Sequence, residues 1–468
     1  MIIRLIGHDY KYAVEQIMLA LFPANQPEAE SRLTLGAVYA QAVTVMRDAD
    51  GKTFRGTARV KRDRLTGKLE TDRRLQRIIK QSFYRAAQGL LDSPPVWGSL
   101  TGIRPVKVSS SAKKLMREYY VSPERAALTA DAAAVSAAIS RTLKQRDVAL
   151  YVGIPFCPTR CAYCSFVSTD VEKSFGLVAP FVETLLREID LTAQLVRDLN
   201  LRVVAVYIGG GTPTALPPDA LETVMQRLCA AFGNFAHVRE YTVEAGRADT
   251  ISEEKLKIML AGGADRISVN PQSMDAQVLE AIGRNHSPED VLRAALLVRQ
   301  SSAALNMDII AGLPRDTPES FSATLETVLD LQPENITVHT LSLKKGSRIR
   351  DNGVDIPGGA AVSKMLDCAH GRLRERGYAP YYLYRQKFTS GGFENTGWSR
   401  AGYEGIYNVC MMEELCTVMS LGGGGVTKLV LPGGRIERVF NPKYPREYIA
   451  ADLEEKMRRI ADLLHNSD

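Results

Sequence analysis

The chain has 468 residues, of which 45% are hydrophobic and 24% charged, an ordinary globular balance that excludes a disordered or collagen-like protein. That length requires a large core plus one or two smaller modules, and no apolar run reaches the ~20 residues of a bilayer span. The formal net charge of +6 suits an acidic small molecule or an RNA, but the basic stretch Arg55 to Arg85 lacks interleaved stacking aromatics, so no nucleic-acid partner is expected.

The opening apolar segment is interrupted by Arg4, Asp9, Lys11 and Glu15 and has no small-residue cleavage site. It reads as the first strand and helix of a folded domain, and a cytosolic location is expected. An α+β domain over residues 1–145 follows from the strand-like runs Ala37–Met46 and Thr53–Val60 and a helix around Leu75–Leu91. Over 146–345 the pattern changes. Apolar, β-branched runs at Ala149–Pro155, Val203–Gly209, Glu240–Ala245, Arg266–Asn270, Asn306–Ala311 and Asn335–Leu343 alternate with helix-period segments. Those segments are Val182–Leu199, Asp219–Phe232, Glu253–Leu260, Val291–Gln300 and Phe321–Leu331, several opened by Ser or Thr before Pro or Glu, as helix starts are. Six strand–helix units imply a parallel sheet with right-handed crossovers. The units are too few to close an eight-fold barrel, so a three-quarter β/α barrel is expected, with a doubly wound sheet as the alternative. A third domain over 346–468 should hold a helix at Ala361–Arg376, an aromatic strand at Tyr378–Tyr384, and a second helix leading to the glycine run Gly422–Gly425.

Seven cysteines in a chain read as cytosolic argue against a disulfide framework. Cys229, Cys368, Cys410 and Cys416 lie in apolar patterns and read as small core residues. Cys157, Cys161 and Cys164 instead crowd into a C-x3-C-x2-C loop after the first barrel strand. Thiolates suit iron–sulfur clusters and zinc alike. A structural zinc needs four protein ligands, and no fourth cysteine or histidine stands close by, so three irons of a 4Fe–4S cluster with one left open is the reading. In a parallel barrel, reactive groups collect at the carboxyl ends of the strands, and the other suggestive residues fall there. Gly209-Gly210-Gly211-Thr212-Pro213 ends the second strand, where glycines let a ligand approach the backbone or simply turn it. Glu244 ends the third, where a ribose diol, an ammonium or a neighbouring arginine would satisfy it. Gln272 follows the fourth, Arg284 can clamp a carboxylate, and Asp308 lies within the fifth.

These residues, in this order, resemble the oxygen-independent coproporphyrinogen III oxidase family of radical S-adenosylmethionine (SAM) enzymes, the HemN-like proteins. The signature runs from Tyr151 through Pro155-Phe156-Cys157, Cys161 and Tyr163-Cys164 to GGGTP, Glu244, Gln272, Arg284 and the Asp308 strand ending Gly312-Leu313-Pro314. The nearest branch is the HemZ-type coproporphyrinogen dehydrogenase, similar in Leu100–Lys107, Pro380–Lys387, Tyr407-Asn408 and Met412-Glu413-Glu414. The resemblance implies cluster ligands at Cys157, Cys161 and Cys164. It places Gly210, Gly211 and Thr212 at the methionyl end of SAM, Glu244, Gln272 and Asp308 at its ribose and adenosine, and Arg284 on its carboxylate, with Tyr151 as the catalytic-site residue beside the cluster. It further implies reductive cleavage of SAM and hydrogen abstraction from a propionate of coproporphyrinogen III. Loss of carbon dioxide and one electron then leaves a vinyl group, and two such rounds lead to protoporphyrinogen IX in porphyrin and heme biosynthesis. The implied partners are this tetrapyrrole and an electron donor of flavodoxin or ferredoxin type.

Gly153 and Phe166 depart from the His and the fourth Cys that the best-known dehydrogenases carry. Phe166 is shared with the heme-chaperone branch, but where that branch has a His-Asn pair this chain has Tyr407-Asn408. A heme chaperone and a heme-methylating or ring-opening relative are therefore the alternatives. A tRNA-modifying enzyme is disfavoured by the absent RNA-binding pattern.

Overall fold

The computed structural model describes residues 3–22, 26–166, 168–344, 346–386 and 391–465. The chain divides into two compact units, one of Met1–Ala133 with Tyr384–Glu394, the other of Ala134–Leu383 with Asn395–Asp468.

The first unit is built on a four-stranded sheet, β1 (Ile3–Ile6), β2 (Glu28–Leu35), β3 (Tyr39–Arg47) and β4 (Thr53–Lys61), paired in that order. Strand β3 alternates buried and exposed residues along its length, the period of a sheet with one covered face. Helices Lys11–Leu21 and Lys68–Ala87 cover it, packing Ile17, Met18, Ile79 and Phe83 against Ala40, Ala42 and Met46. The helix and sheet meet at Gly56, where an added Cβ would lie 2.0 Å from the Ser82 carbonyl. The expected opening strand and helix, the two later strands and the helix after them are present, and the strand Glu28–Leu35 and helices Ala112–Tyr119 and Pro123–Thr142 are additional. The latter is alanine-rich and shows almost no amphipathic periodicity, so pattern alone does not reveal it. Two branch motifs meet in this unit. The Arg385 amide donates to the Ile103 carbonyl at 2.7 Å, and its guanidinium donates to the carbonyls of Leu100 and Gly392. Lys387 lies outside the described residues.

The second unit is built on an eleven-stranded sheet. Its core strands are β5 (Asp147–Ile154), β8 (Arg202–Gly210), β9 (Glu240–Val243), β10 (Arg266–Ser268), β11 (Ala304–Ala311) and β12 (Asn335–Thr340), and a two-stranded ladder of β6 (Phe156–Cys157) and β7 (Thr169–Asp170) carries the cysteine loop. The six core strands are all parallel and lie side by side in sequence order. A doubly wound sheet reverses its order at a switch point; this one never does, so it is singly wound like a barrel. The partial barrel stays open because β13 (Ala379–Arg385) and β14 (Glu394–Ser399) continue the sheet beyond β12 while β15 (Thr417–Gly422), β16 (Val426–Leu431) and β17 (Arg435–Phe440) extend it beyond β5. Strand β15 runs parallel to β5 and pairs Gly422 with Gly153. The second C-terminal helix is short, Ile406–Glu413, and ends before this strand rather than at the glycines. Gly422–Gly425 make the turn between β15 and β16, with Gly422 and Gly424 at positive φ.

One buried charge pins that turn to the barrel. Glu188, on helix Val178–Asp198, accepts from the Gly422 amide at 2.7 Å, Asn441 at 2.9 Å, the Tyr448 hydroxyl at 2.5 Å and Lys456 Nζ at 2.5 Å. Both members of the Glu188–Lys456 pair are almost fully enclosed. Deleting one member of such a pair strands its partner, so Glu188→Ala should destabilise this unit by about 3–5 kcal/mol. The double variant Glu188→Gln with Lys456→Met should recover much of the loss, both read from urea unfolding midpoints.

Candidate functional site at the carboxyl ends of the barrel strands

The cysteine loop is held by its backbone. Thr169 N–H donates to the Pro155 carbonyl and Val171 N–H to Cys157, while the Ala162 N–H and carbonyl bond to Ile282 and Ile349. Cys161 is buried and Cys157 and Cys164 are half-buried. Burial raises the Cys157 thiol and pushes Cys164 up to about 11. The Thr212 hydroxyl donates to Cys157 Sγ at 3.5 Å, so the glycine run and the cysteine loop touch.

They touch because the ends of β5 and β8 approach unusually closely. Gly211 N–H donates to the Ile154 carbonyl and Thr212 N–H to Phe156, each at 2.7 Å. A Cβ on Gly211 would stand 2.4 Å from the Phe156 carbonyl oxygen, and Gly210 sits at φ +105°, a conformation only glycine adopts without strain. Gly209 has its own reason: a Cβ there would lie 2.6 Å from Glu244 Oε2.

Inside the barrel, Glu244 and Asp308 face one region, where burial first and the Asp308 charge second push the Glu244 carboxyl up to about 7. Asp308 accepts from Asn306 at 3.1 Å and lies 3.6 Å from His339. Gln272 takes φ +66°, donates its amide to the Asp308 carbonyl at 2.9 Å, and leaves its buried side-chain oxygen without a partner. Arg284 is committed at its tips. Nη1 donates to the carbonyls of Asn270 at 2.6 Å and Gly246 at 3.2 Å, and Nη2 to the Tyr163 hydroxyl at 3.0 Å, leaving buried Nε unpartnered. Tyr151 stacks in a trio of rings, 6.3 Å from Tyr207 and 6.2 Å from Tyr407, which are 4.5 Å from each other.

Sequence reasoning overlooked three members of this region. Tyr207 pairs with Tyr151 across β5 and β8, and strand alternation could have found it. His339, two residues beyond Thr337 in a strand whose Ile336 and Val338 point outward into the core, had the same signal. Tyr407 had none as a barrel residue, since it arrives from the C-terminal segment. Its amide donates to Glu240, the first residue of β9, at 3.0 Å. Nearby, the Tyr403 carbonyl accepts from Arg266 and Asn335, the first residues of β10 and β12. Residues 403–407 are thus fastened to the amino ends of the strands, and Tyr407 floors the interior.

Three thiols on one loop, a glycine backbone beside them, and unpartnered buried atoms on Asn270, Gln272 and Arg284 suit an iron–sulfur cluster with a polar ligand beside it. Each orphaned atom costs about 1–3 kcal/mol until satisfied.

The comparisons agree. The model of the radical SAM superfamily matches residues 151–328. The oxygen-independent coproporphyrinogen-III oxidase-like protein HemZ of Bacillus subtilis strain 168 is 38% identical over 369 residues, 75% of this chain and 74% of that one. The heme chaperone HemW of Escherichia coli K12 is 25% identical over 321 residues, 68% of this chain and 80% of that one. The structure of coproporphyrinogen III oxidase HemN from Escherichia coli, a radical SAM enzyme, superposes with a TM-score of 0.53 at 20% identity, covering 69% of this chain and 73% of that one. The core is therefore that of a radical SAM protein, a class that carries a 4Fe–4S cluster and SAM. Within that class, the chain belongs to the family of oxygen-independent coproporphyrinogen III oxidase-like proteins.

Two outcomes follow from the geometry. Gly211→Ala should separate the two strand ends and abolish most cluster loading, read as iron and sulfide per chain. Glu244 has a folded pKa near 7, above its ordinary value of 4.5, so the folded chain binds that proton more tightly than the unfolded one. Its contribution to stability is complete below the ordinary value and is lost as pH rises through about 7. Between pH 4.5 and 7, Glu244→Gln should therefore lose less stability than the wild type, measured from urea midpoints of the cluster-free protein.

Proposed function

We propose that the chain oxidatively decarboxylates the propionates of coproporphyrinogen III to vinyl groups, giving protoporphyrinogen IX, as a cytosolic enzyme supplied with electrons by a flavodoxin- or ferredoxin-type donor. The observation that carries this over heme transfer is Tyr407. It occupies the position of the chaperone branch's His-Asn pair, yet it is buried at the barrel floor, fastened through Glu240 and stacked on Tyr207. Burial raises its phenol well above the ordinary value, so it stays protonated, whereas tyrosine ligates heme iron as the deprotonated phenolate. A carrier needs an accessible ligand; a floor residue suits a substrate pocket.

In this reading Cys157, Cys161 and Cys164 hold the cluster. Gly210, Gly211 and Thr212 offer backbone and hydroxyl to the methionyl end of SAM, and Glu244, Gln272 and Asp308 satisfy its ribose and adenine. Arg284 presents Nε toward the carboxylate while its tips brace the surrounding loops. When bound, the cluster and SAM together supply the means to take a hydrogen atom from a propionate β-carbon. The protein's task is to hold the reacting carbon close and keep water and oxygen out. The tyrosine trio, with Tyr151 at its edge beside Gly210, supports this by presenting a flat, nonionised floor to a macrocycle.

The test is anaerobic: reconstituted protein, SAM, reductant and coproporphyrinogen III, with carbon dioxide and protoporphyrinogen measured. Both should form, and Cys157→Ala, Cys161→Ala and Cys164→Ala should each lose most of their iron and all turnover. SAM cleavage without decarboxylation would reject this substrate, and stoichiometric heme binding in its place would install the chaperone reading.

A further inference from the structure

Arg247 stands four residues past the strand β9, in the loop that follows Glu244, and none of the roles above uses it. It is almost fully buried, at 3% exposure, yet carries a full charge. Its fork grips one carboxylate: Nε donates to Asp249 Oδ1 at 3.0 Å and Nη2 to Oδ2 at 2.9 Å. That bidentate grip leaves Nη1 aimed in a fixed direction. It donates to the Thr159 hydroxyl at 3.0 Å and to Cys161 Sγ at 3.8 Å. Thr159 and Cys161 are both on the cysteine loop, so one immobilised guanidinium spans the loop from below. On the far side of Asp249, His286 lies at 3.6 Å and adds a second wall behind the carboxylate.

The three sulfurs are served unequally. Cys157 receives neutral hydroxyls from Thr212 and Ser168 and Cys164 a backbone N–H from Phe166, while Cys161 faces two guanidinium groups, Arg247 at 3.8 Å and Arg284; only Arg247 is free of a role at the SAM site. An N–H directed at a ligating sulfur withdraws electron density and stabilises the more negative, reduced cluster. A charge-assisted donor in a buried site does so more strongly than a neutral one.

We propose that Arg247 sets the reduction potential of the cluster through its hydrogen bond to Cys161, making the one-electron reduction that starts each turnover easier. Arg247 acts through Cys161 and is a positioning residue. The electron comes from outside, from a viologen mediator in the test or a low-potential carrier protein in the cell, and takes the oxidised cluster to its one-electron-reduced form with no bond made or broken. The inference rests on Cys161 being a cluster ligand, and is independent of which tetrapyrrole is the substrate.

The experiment is a potentiometric titration of the reconstituted full-length protein, following the reduced cluster by electron paramagnetic resonance, with iron and sulfide counted on every sample. Arg247→Met should load a full cluster, and at the wild-type midpoint its ratio of reduced to oxidised cluster should fall about tenfold, equal to about 59 mV for one electron. Arg247→Lys keeps the charge but loses the fork and should fall by less. Thr159→Val removes the neighbouring acceptor without touching the charge and should leave the ratio unchanged. A fully loaded Arg247→Met with the wild-type ratio overturns the proposal, as does a Thr159→Val shift equal to that of Arg247→Met. Should Arg247→Met fail to load, Arg247→Lys decides: a lowered ratio supports the proposal and an unchanged one overturns it. A fully loaded Cys161→Ala would instead overturn the ligand assignment beneath it.

Discussion

The site depends on one close approach, the pair of amide–carbonyl bonds that draws Gly211 and Thr212 onto Ile154 and Phe156. No side chain fits between those backbones, so the sequence there is reduced to glycine followed by a small hydroxyl residue. Cys157 comes one residue after Phe156, and the Thr212 hydroxyl therefore reaches its sulfur. The same approach fixes where the glycine amides face. A shift of either strand end by a residue would turn Thr212 away and place a side chain where the backbone must be bare. The clamp on the opposite side of β5, from Gly153 to Gly422, extends this constraint to the C-terminal segment. A Cβ on Gly422 would meet the Gly153 carbonyl at 2.2 Å, and Glu188 holds that turn in place.

Around this backbone frame the interior is polar beyond its own needs. Two acidic side chains, Glu244 and Asp308, face one region with the His339 ring 3.6 Å from Asp308, and buried atoms of Asn270, Gln272 and Arg284 lack partners. A core evolved for stability alone would have neutralised these groups. The cost is offset elsewhere, by the apolar outer faces of the same strands and by buried ion pairs such as Glu188 with Lys456 and Glu240 with Arg266. The distinction is informative. Glu240, which opens β9, is paired with Arg266, while Gln272 and Arg284 near the carboxyl ends keep buried atoms without a partner.

Legibility followed the range of the interactions. The six core strands and their helices could be read because each buries a continuous apolar run and each helix opens on local capping chemistry, as at Ser287 and Thr317, which both form reciprocal caps. The cysteines, glycines, Glu244, Gln272 and Asp308 could be read because a parallel barrel places strand ends together whatever the rest of the chain does. What could not be read was long-range. Tyr407 enters the barrel from 200 residues beyond Tyr207, and nothing in its helix announces that. Arg247 was visible as a residue but not as a partner of Cys161, because its aim is set by Asp249. Strand β15 was hidden by the glycines at its end, whose role is to let Gly153 come close.

On the proposed reading, chemistry and substrate choice come from different parts of the chain. The barrel contributes the cysteine loop, the glycine backbone and the acids, all on strand ends whose positions follow from a singly wound parallel sheet. The floor comes from residues 403–407, tied to the amino ends of β9, β10 and β12 by bonds that involve mostly backbone atoms of the visiting segment. Glu240 holds the amide of Tyr407 and not its ring, which is placed by stacking on Tyr207 and Tyr151. Tyrosine there presents a flat face to Tyr207 and Tyr151. On the proposed reading, the residue that floors the pocket can therefore vary without disturbing the strand ends that carry the cysteine loop and the glycines.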